Sequence, residues 1–402
     1  MKPILRATIP ILANILLSVP LLAQGTGMLI SDARIDAIKR RVLSHTEPTA
    51  SAYEQCEEKA NAELDRDCQA PDNWYVPLRY VNNEAHQAAK KCLHDDANIA
   101  FKLALVYRVS GDEKYAVAAA RLINGWATKV KTMSTADDSR ISFNYHFPAL
   151  IFAADLIRTS PHFPQADQDR FGAFLKRKAL PMNIMARVGN KPALNGNDWG
   201  LLIYLSTALY LHDEGMVNTA LQTYKEYIGM QITPEGILPQ EITRNNSTGD
   251  AGYWYINFAL MPLTISTELF RLHGVDLYDY ASPTGSSLHK AYEKTAALME
   301  KPGDYPFGTV YKGKAPHSLD DTFYAGYMEI LNTRWPNAEV TTVLNAKRPW
   351  DPDHSLPVTT LLYGDLVVHD GPSATATTGS ADDFDAIFHK HGAAGSPAPS
   401  RP

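Results

Sequence analysis

The feature that most constrains the fold is an apolar spacing of three to four residues that recurs, segment after segment, along most of the chain. Residues 31–44 show it first, with Ile35, Ile38 and Val42 on one face and Ser31 as a cap. Strand signals are few, and Gly111-Asp112 marks a turn between two periodic segments. The pattern predicts an all-α fold of stacked helical hairpins rather than an α/β sheet. The further predicted helices are 98–110, 113–130, 145–160, 165–185, 199–212, 214–232, 253–274, 286–299 and 320–334.

The composition is that of a globular protein with a hydrophobic core, and the net charge restricts which ligands the chain can attract. The 402 residues are 45% hydrophobic and 20% charged, which is ordinary for a globular protein. The formal net charge is −6, so the chain has no general attraction to nucleic acid or acidic membranes. An anionic ligand must therefore be met by a local group of cations.

The first 25 residues are typical of a secretory signal. Lys2 and Arg6 precede an apolar run from 9 to 22, and small residues follow near a cleavage point. No later segment has the length and apolarity of a membrane span. We expect a secreted, extracellular protein that has no membrane contact once the signal is removed. The alternative is an uncleaved anchor.

Export permits disulfides, and Cys56, Cys68 and Cys92 are the three cysteines. At least one of them must stay unpaired, and the spacing does not define a pairing or a structural zinc site. Residues 245–248 hold two overlapping acceptors for N-glycosylation, which predict a glycoprotein if the source is eukaryotic.

The C-terminal part has a different character. Residues 340–368 contain short runs of β-type residues, such as 358–363, and these predict strands packed on the helical body. Residues 371–402 are rich in Ser, Ala, Thr, Gly and Pro, which predicts a disordered tail. The predicted division is a signal peptide at 1–25, a single helical domain at 26–370 and the tail.

One stretch, residues 236–271, brings chemistry-bearing residues together. An apolar piece at 236–242, predicted to be extended, is followed by Arg244 and a polar loop containing glycine. A helix is then predicted from Gly252 to Arg271, with a bend at Pro262. A cation and a tyrosine are thereby placed at the start of a helix, where an anionic substrate would be met.

The order Leu-Pro-x-Glu, arginine and Tyr-x-x-Phe-Ala-Leu in this stretch resembles the secreted alginate lyase superfamily. Residues 103–126, 194–199 and 325–336 carry further pieces of the resemblance, which covers roughly residues 95 to 336. It implies an (α/α) toroid, an incomplete barrel of helical hairpins, that cleaves polyuronates by β-elimination. No cofactor or metal is expected, because protein groups can neutralise the substrate carboxylate.

The resemblance carries over to individual positions. Tyr255 matches the catalytic tyrosine of the family, Arg244 its arginine and Asn195 the asparagine of its Asn-His pair. Gly196 stands where the histidine of that pair is expected. The loop before Tyr255 is longer than usual, which leaves Tyr253 as a rival for the tyrosine.

Elimination in a 4-linked uronate removes the proton on C5 and expels the oxygen on C4. Donors from Arg244 and Asn195 would stabilise the charge that builds on the carboxylate. Tyr255, beside a cation, would act first as base and then as acid. His146, in the segment 142–148, is the candidate that replaces the missing histidine, and its alternative role is structural.

Several further residues are candidates for holding neighbouring sugars. Loop 69–83 mixes Trp74, Tyr75, Arg79 and Tyr80, which suits stacking and carboxylate pairing, although such a loop also packs by its aromatics. The predicted substrate-binding residues are Asn144, Tyr145, Arg79, Trp199, Tyr253 and Lys191; Arg140 and Arg187 are additional cations.

The predicted function is cleavage of an anionic polysaccharide, with mannuronate-rich alginate as the first substrate and glucuronan as the alternative. Rival functions are a glycoside hydrolase, which needs two acids from among Asp198, Glu235, Glu241 and Asp250, and a non-catalytic polyuronate-binding protein. The expected oligomeric state is a monomer.

Overall fold

The structure is a computed structural model, and it describes residues 27–187, 191–243, 251–300, 326–352 and 354–365. These residues fall within one compact unit that comprises residues 1–365. The predicted signal at 1–25 and the predicted tail at 371–402 lie outside the described residues. Both therefore stay predictions, as does the domain boundary at 370.

Helices make up nearly all of the regular structure in the described part, which confirms the all-α prediction. The helices are α1 (Asp32–Leu43), α2 (Thr49–Ala62), α3 (Asn83–Ser110), α4 (Glu113–Lys129), α5 (Ser139–His146), α6 (Pro148–Leu156), α7 (Gln165–Phe174), α8 (Asn195–Tyr210), α9 (Glu214–Gln231), α10 (Pro239–Ile242), α11 (Ala251–Leu272), α12 (Leu288–Glu300), α13 (Met328–Arg334), α14 (Ala338–Lys347) and α15 (Thr359–Tyr363). The strands of the described residues, β1 (Asn73–Trp74) and β2 (Thr132–Met133), form one parallel pair.

The hairpin of α3 and α4 forms where the turn signal predicted it. Gly111 ends α3 with a φ of 78°, a left-handed conformation that glycine adopts at no steric cost, and the side chain of Asp112 accepts from the Lys114 N–H. The helix begins earlier than expected, because Asn82 caps it at residue 83. Its first three turns carry mostly polar residues, which conceal the apolar period.

Two helices predicted to be continuous are broken. Residues 145–160 divide between α5 and α6, because Pro148 has no N–H to continue the first helix and opens the second instead. In the segment 165–185, α7 ends at Phe174 and is followed by a π-helical turn (Leu175–Ala179) and a 3₁₀ turn (Leu180–Met182).

The strands predicted at the C-terminal end of the domain are wrong for the described residues. Residues 338–347 and 359–363 are helical, although both contain β-branched runs. Asn337 caps α14 by accepting from the Val340 N–H at 3.0 Å, so a local cap prevails over the weak strand preference. The piece at 236–242, predicted to be extended, likewise ends in the one-turn helix α10 with Pro239 at its start.

Aromatic side chains of α5, α8 and α11 pack against one another and hold these three helices together. The Trp199 ring lies 5.1 Å from Phe258 and 6.0 Å from Tyr145, and Tyr145 lies 5.7 Å from Phe258, measured between ring centroids. Cys56, Cys68 and Cys92 are all free thiols, so none of them closes a disulfide. Among the described helices, none is both long and apolar enough to pass through a membrane.

Candidate active site

Two tyrosine hydroxyls meet at the beginning of α11. The Oη atoms of Tyr255 and Tyr80 are 2.7 Å apart, within hydrogen-bond distance. Tyr255 is 7% exposed, whereas Tyr80, on the loop between β1 and α3, is 73% exposed. The neighbouring Arg79 holds its guanidinium 5.8 Å from the centre of the Trp254 ring. The loop therefore lies over the first turn of α11, where it brings a phenol to Tyr255 and a cation to the neighbouring Trp254.

Acidic residues before α5 hold this loop in place. Asp138 accepts from the Arg79 N–H at 2.7 Å, and Asp137 accepts from the Tyr75 hydroxyl at 2.5 Å. His86 lies between the Pro77 carbonyl, at 2.9 Å, and Asp138, at 3.3 Å. Burial lowers the pKa of His86 below its usual value. The position of Arg79 and Tyr80 thus depends on the loop backbone and not only on their own side-chain contacts.

The structure distinguishes the two rival tyrosines of α11. Tyr253 is 2% exposed, and its buried hydroxyl has no hydrogen-bond partner in the described part of the chain. Burial raises the pKa of Tyr253 above its ordinary range. Residues two apart on a helix point about 200° apart. It is therefore Tyr255 that faces loop 75–82.

Asn195, the first residue of α8, is bound to a buried carboxylate. Its main-chain N–H donates to Glu241 Oε1 at 2.7 Å, and its Nδ2 lies 3.0 and 2.9 Å from the two Glu241 oxygens. Asn195 is 5% exposed and Glu241 is 1% exposed. Sequence reasoning expected the Asn195 donors to face the substrate, but in this structure they face Glu241.

Glu241 also links Asn195 to the start of α11. The next residue, Ile242, and Ile256 of α11 line the same cavity of about 120 Å³, whose other walls come from 236–238 and α12. The one-turn helix α10, which carries Glu241, thus borders the same cavity as α11. Arg244, which was expected beside them, lies outside the described residues, as do the glycosylation acceptors at 245–248.

Gly196, which stands where the family's histidine is expected, lies beside apolar side chains and is partly exposed. A Cβ built on Gly196 would lie 3.4 Å from Ile141 Cδ1 and 3.5 Å from Ile184 Cδ1. Both are ordinary contact distances, so a side chain at this position would first meet hydrocarbon.

His146 lies in a buried ring cluster, which we define as Tyr145, His146, Trp199, Phe258 and His354. The His146 ring is 4.4 Å from Tyr145 and 5.1 Å from His354, and it is 2% exposed. Its Nε2 is buried and has no hydrogen-bond partner in the described structure. Burial, with the charge of neighbouring histidines, lowers the pKa of His146 well below its usual value. The imidazole is therefore neutral and has no contact with solvent.

His354 enters this cluster from the far end of the domain. Its ring lies 5.0 Å from Tyr145, and the following residue, Ser355, donates to the Tyr145 carbonyl at 2.7 Å. Burial lowers the pKa of His354 well below its usual value. Asp351, three residues earlier, fixes the segment through Lys59 at 2.6 Å and Lys102 at 2.9 Å.

Other predicted substrate-binding residues have structural contacts instead. The Asn144 amide donates to the carbonyls of Arg140 and Met182 and accepts from the Ile184 N–H. Trp199 is fully buried, so it seals α8 against α11 rather than stacking on a sugar.

The remaining candidates differ in exposure. Tyr145 is 6% exposed, and burial raises its pKa to about 12. Lys191 is exposed, and its carbonyl accepts from Arg187 at 3.3 Å. Arg187 also pairs with Glu226 at 2.6 Å, and Arg140 donates to the carbonyls of Met182 and Asn183. None of these contacts brings Lys191, Arg187 or Arg140 to Tyr255.

Sequence reasoning missed two residues and undervalued a third. Glu241 belongs to the Leu-Pro-x-Glu motif and is a candidate hydrolase acid, but nothing in the sequence pairs it with a residue 46 positions earlier. His354 is one of 13 histidines and lies in the C-terminal segment 340–368, outside the region that carries the family resemblance. Tyr80 was noted for stacking, and its mixture with Arg79 was the available signal. Among the described residues, no group of three His, Cys, Asp or Glu could hold a metal.

Comparisons with known proteins identify a matching family and one relative. The sequence model of the alginate lyase family matches residues 42–304. A polysaccharide lyase of Stenotrophomonas maltophilia (strain K279a) is 28% identical over 153 residues. That match spans 38% of this chain and 42% of the relative, which is less than half of either protein.

Solved structures resemble the fold over a much longer range. Alginate lyase A1-III from Sphingomonas species A1 has a TM-score of 0.65 and 19% identity, covering 85% of this chain and 97% of that one. A variant of A1-III complexed with a tetrasaccharide has a TM-score of 0.65 at 20% identity, over the same shares of the two chains. An alginate lyase from Bacteroides ovatus reaches 0.59 at 17% identity, covering 84% and 99%. These likenesses show the (α/α) toroid fold.

Proposed function

The chain belongs to the alginate lyase family, and from that membership we propose that it is a polysaccharide lyase that cleaves a 4-linked polyuronate by β-elimination. The observation that carries the proposal is the contact between Tyr255 and Tyr80 at 2.7 Å, with Arg79 beside it. It places an ionisable hydroxyl, a second hydroxyl and a cation at one end of α11.

Tyr255 performs both proton transfers in this proposal. Its phenolate removes the proton on C5, the electron pair forms the C4–C5 double bond, and the bond from C4 to the glycosidic oxygen breaks. The phenol then returns the proton to that oxygen from the same side of the ring. The Tyr80 hydroxyl, which can donate to the Tyr255 oxygen, stabilises the phenolate.

The carboxylate of the reacting uronate must be neutralised, because the C5 proton is otherwise only weakly acidic. Arg79 and Arg244 are the cations assigned to that role, the first from the loop and the second from its place in the family motif. His146 is buried in the ring cluster, so we assign it to packing and leave the proton transfers to Tyr255. No step of this mechanism requires a divalent cation.

Mannuronate-rich alginate is the proposed substrate. The family match and the similar structures, all alginate lyases, support alginate as the polymer. Glucuronan offers the same C5 chemistry and is the alternative. We further propose that residues 1–25 direct secretion and that the mature protein acts outside the cell as a monomer.

The described acids do not favour the hydrolase rival. Asp198 is fully buried and Glu241 is bound to Asn195, so neither faces a cleft, and Glu235 is exposed without a second acid beside it in the described part. A hydrolase needs two carboxyl groups on opposite sides of the scissile bond. Asp250 lies outside the described residues.

The experiment is the ultraviolet absorbance of unsaturated product, with the purified mature chain on polymannuronate, polyguluronate, glucuronan and a neutral glucan. A rise on one uronan supports elimination and identifies the substrate. New reducing ends without absorbance would instead indicate a hydrolase. Binding of oligouronates with no product of either kind would indicate a non-catalytic protein.

A further inference from the structure

The tip of the loop between β1 and α3, which we define as residues 77–81, gains little from packing. Leu78, Tyr80 and Val81 are 41%, 73% and 80% exposed, so burial of apolar surface does little to fix the tip. The Tyr80 hydroxyl nevertheless lies 2.7 Å from that of Tyr255. Polar contacts with the backbone of the tip therefore have a large share in placing Tyr80.

One anchor of the tip is Asp138, the residue before α5. Its Oδ2 accepts from the Arg79 main-chain N–H at 2.7 Å, and its own main-chain N–H donates to the Val76 carbonyl at 3.2 Å. The side chain thus reaches three residues further along the loop than the main-chain contact does. Asp138 thereby holds the backbone directly before Tyr80.

The second anchor is His86, a buried residue in the first turn of α3. Its Nδ1 lies 2.9 Å from the Pro77 carbonyl oxygen and 3.3 Å from Asp138 Oδ2. A carbonyl oxygen only accepts hydrogen bonds, so Nδ1 must carry the hydrogen in the neutral ring as well as in the charged one. His86 therefore donates to the start of the tip and lies against the other anchor with the same N–H.

We propose that Asp138 and His86 are positioning residues for the elimination, a clamp that acts on turnover through Arg79 and Tyr80 and does not itself touch the substrate. The inference rests on the proposed function, since it concerns the same site. The clamp holds one N–H and one carbonyl of the tip, two residues apart, from the start of α5 and from α3. A shift of about 1 Å in the tip would disrupt the hydroxyl contact with Tyr255.

The first part of the test measures kcat/KM for unsaturated product in Asp138→Ala, His86→Gln and His86→Asn. An asparagine amide nitrogen takes the place of Nδ1 in histidine, whereas a glutamine amide nitrogen takes the place of Nε2. The two variants therefore keep and remove the same donor at similar polarity. Asp213→Ala is the matched control, because Asp213 also accepts from a main-chain N–H, that of Met216 at 2.9 Å, at the start of α9.

Asp138→Ala and His86→Gln are expected to lose about tenfold to a hundredfold in kcat/KM, as misplacement of reacting groups does. His86→Asn should lose only about threefold, because the donor to the loop is kept, and Asp213→Ala should match the parent chain. In a chain that already carries Arg79→Ala and Tyr80→Phe, Asp138→Ala should cost no more than about threefold, since the residues through which the clamp acts are already altered.

The second part measures the clamp without reference to turnover, as the rate of trypsin cleavage after Arg79 in the folded chain. Loss of an anchor lets the tip open to the protease more often. Cleavage after Arg79 should therefore be about tenfold faster in Asp138→Ala and His86→Gln than in the parent chain, His86→Asn and Asp213→Ala. Thermal unfolding shows which variants are folded, and either anchor alone decides the question.

Equal losses in His86→Asn and His86→Gln would overturn the inference, because His86 would then act by packing alone. An undiminished loss from Asp138→Ala in the chain altered at Arg79 and Tyr80 would overturn it as well, and so would an unchanged rate of cleavage after Arg79. If the parent chain forms no unsaturated product on any uronan, the proposed function itself has failed. That result is distinct, since cleavage after Arg79 still shows whether the clamp holds the tip.

Discussion

The start of α11 and the buried ring cluster differ in what their polar atoms can reach. At the start of α11, the Tyr255 hydroxyl contacts that of Tyr80, which lies on a loop and is exposed to solvent. One turn further along, Phe258 joins the ring cluster, where His146 and His354 are almost fully enclosed. Both regions contain tyrosine, and the ring cluster adds two histidines, so it is burial rather than residue type that separates them.

The contrast shows that residue type alone does not identify which side chain can transfer a proton to or from the substrate. His146 was a good candidate by type, because an imidazole transfers protons near neutral pH. Burial removes that property by making the charged form costly, and it also removes access. Tyr255 keeps a contact with the exposed Tyr80 and lies next to Trp254, which carries the Arg79 cation, and it is therefore the residue on which the mechanism is built.

The largest expected effect belongs to the matched pair Tyr255→Phe and Tyr253→Phe. Loss of the Tyr255 hydroxyl removes the base and the acid, so kcat should fall by about a thousandfold or more. Tyr253→Phe removes a buried hydroxyl that has no partner in the described structure, so turnover should stay near that of the parent. Initial rates of unsaturated product measure both, and a stronger loss in Tyr253→Phe would move the chemistry to the other face of α11.

A smaller effect is expected from Tyr80→Phe, which keeps the ring and removes one hydrogen bond to Tyr255. The phenolate loses one donor, so kcat should fall by about tenfold, equivalent to roughly 1.4 kcal/mol. Tyr75→Phe is the comparison from the same loop: it removes the contact with Asp137 that holds the loop but leaves the Tyr80 hydroxyl in place, so a smaller loss is expected from it. Equal rates for Tyr80→Phe and the parent would show that the hydroxyl contact has no part in turnover.

The two histidines of the ring cluster should make the free energy of unfolding depend on pH below neutrality. The pKa of His146 and of His354 is lower in the folded than in the unfolded chain, so below about pH 6.5 the unfolded chain binds more protons. The free energy of unfolding therefore falls as the pH drops, by up to about 1.4 kcal/mol per pH unit for each histidine. His354→Phe keeps a ring and cannot titrate, so it should flatten this slope in urea titrations from pH 7 to 5. An unchanged slope would mean that His354 is not buried as neutral imidazole.

The smallest effect is a gain of stability from Asp198→Asn. The folded pKa of Asp198 lies above the unfolded value, so the free energy of unfolding falls as pH rises through that interval. Asparagine cannot ionise, and its amide can donate to Gln231 Oε1, which is buried without a partner in the described residues. We expect a gain on the order of 1–2 kcal/mol at alkaline pH, fading towards acid, with lyase activity retained. Loss of cleavage in this variant would instead favour an acid role for Asp198.

Local signals in the sequence were sufficient for much of the fold. The turn at Gly111-Asp112 and the cap at Ser31 depend on residues within one helical turn, and both form as predicted. The break at Pro148 is local as well, but the strong apolar period on both sides concealed it. The strand-type residues at 338–347 concealed a helix that the local cap at Asn337 starts, and 359–363 is helical despite the same residue types.

The site was less predictable, since its contacts join distant parts of the chain. Tyr255 could be named from the motif around it, whereas its contact with Tyr80 spans 175 positions. Asn195 could also be named, but the direction of its amide depends on Glu241. His354 comes from beyond the region that the family model matches, and Asp351 places it through two lysines. Such placements follow from packing and charge pairing, which single-sequence patterns do not encode.

The most direct test of the account is cleavage in heavy-oxygen water, followed by mass spectrometry of the products. Elimination moves a proton from carbon to oxygen and adds no water across the bond. We therefore predict unsaturated ends lighter than hydrolysis products by one water, with no heavy oxygen incorporated at the moment of cleavage. Products of full mass that carry one heavy oxygen at each new reducing end would show hydrolysis and contradict the central claim.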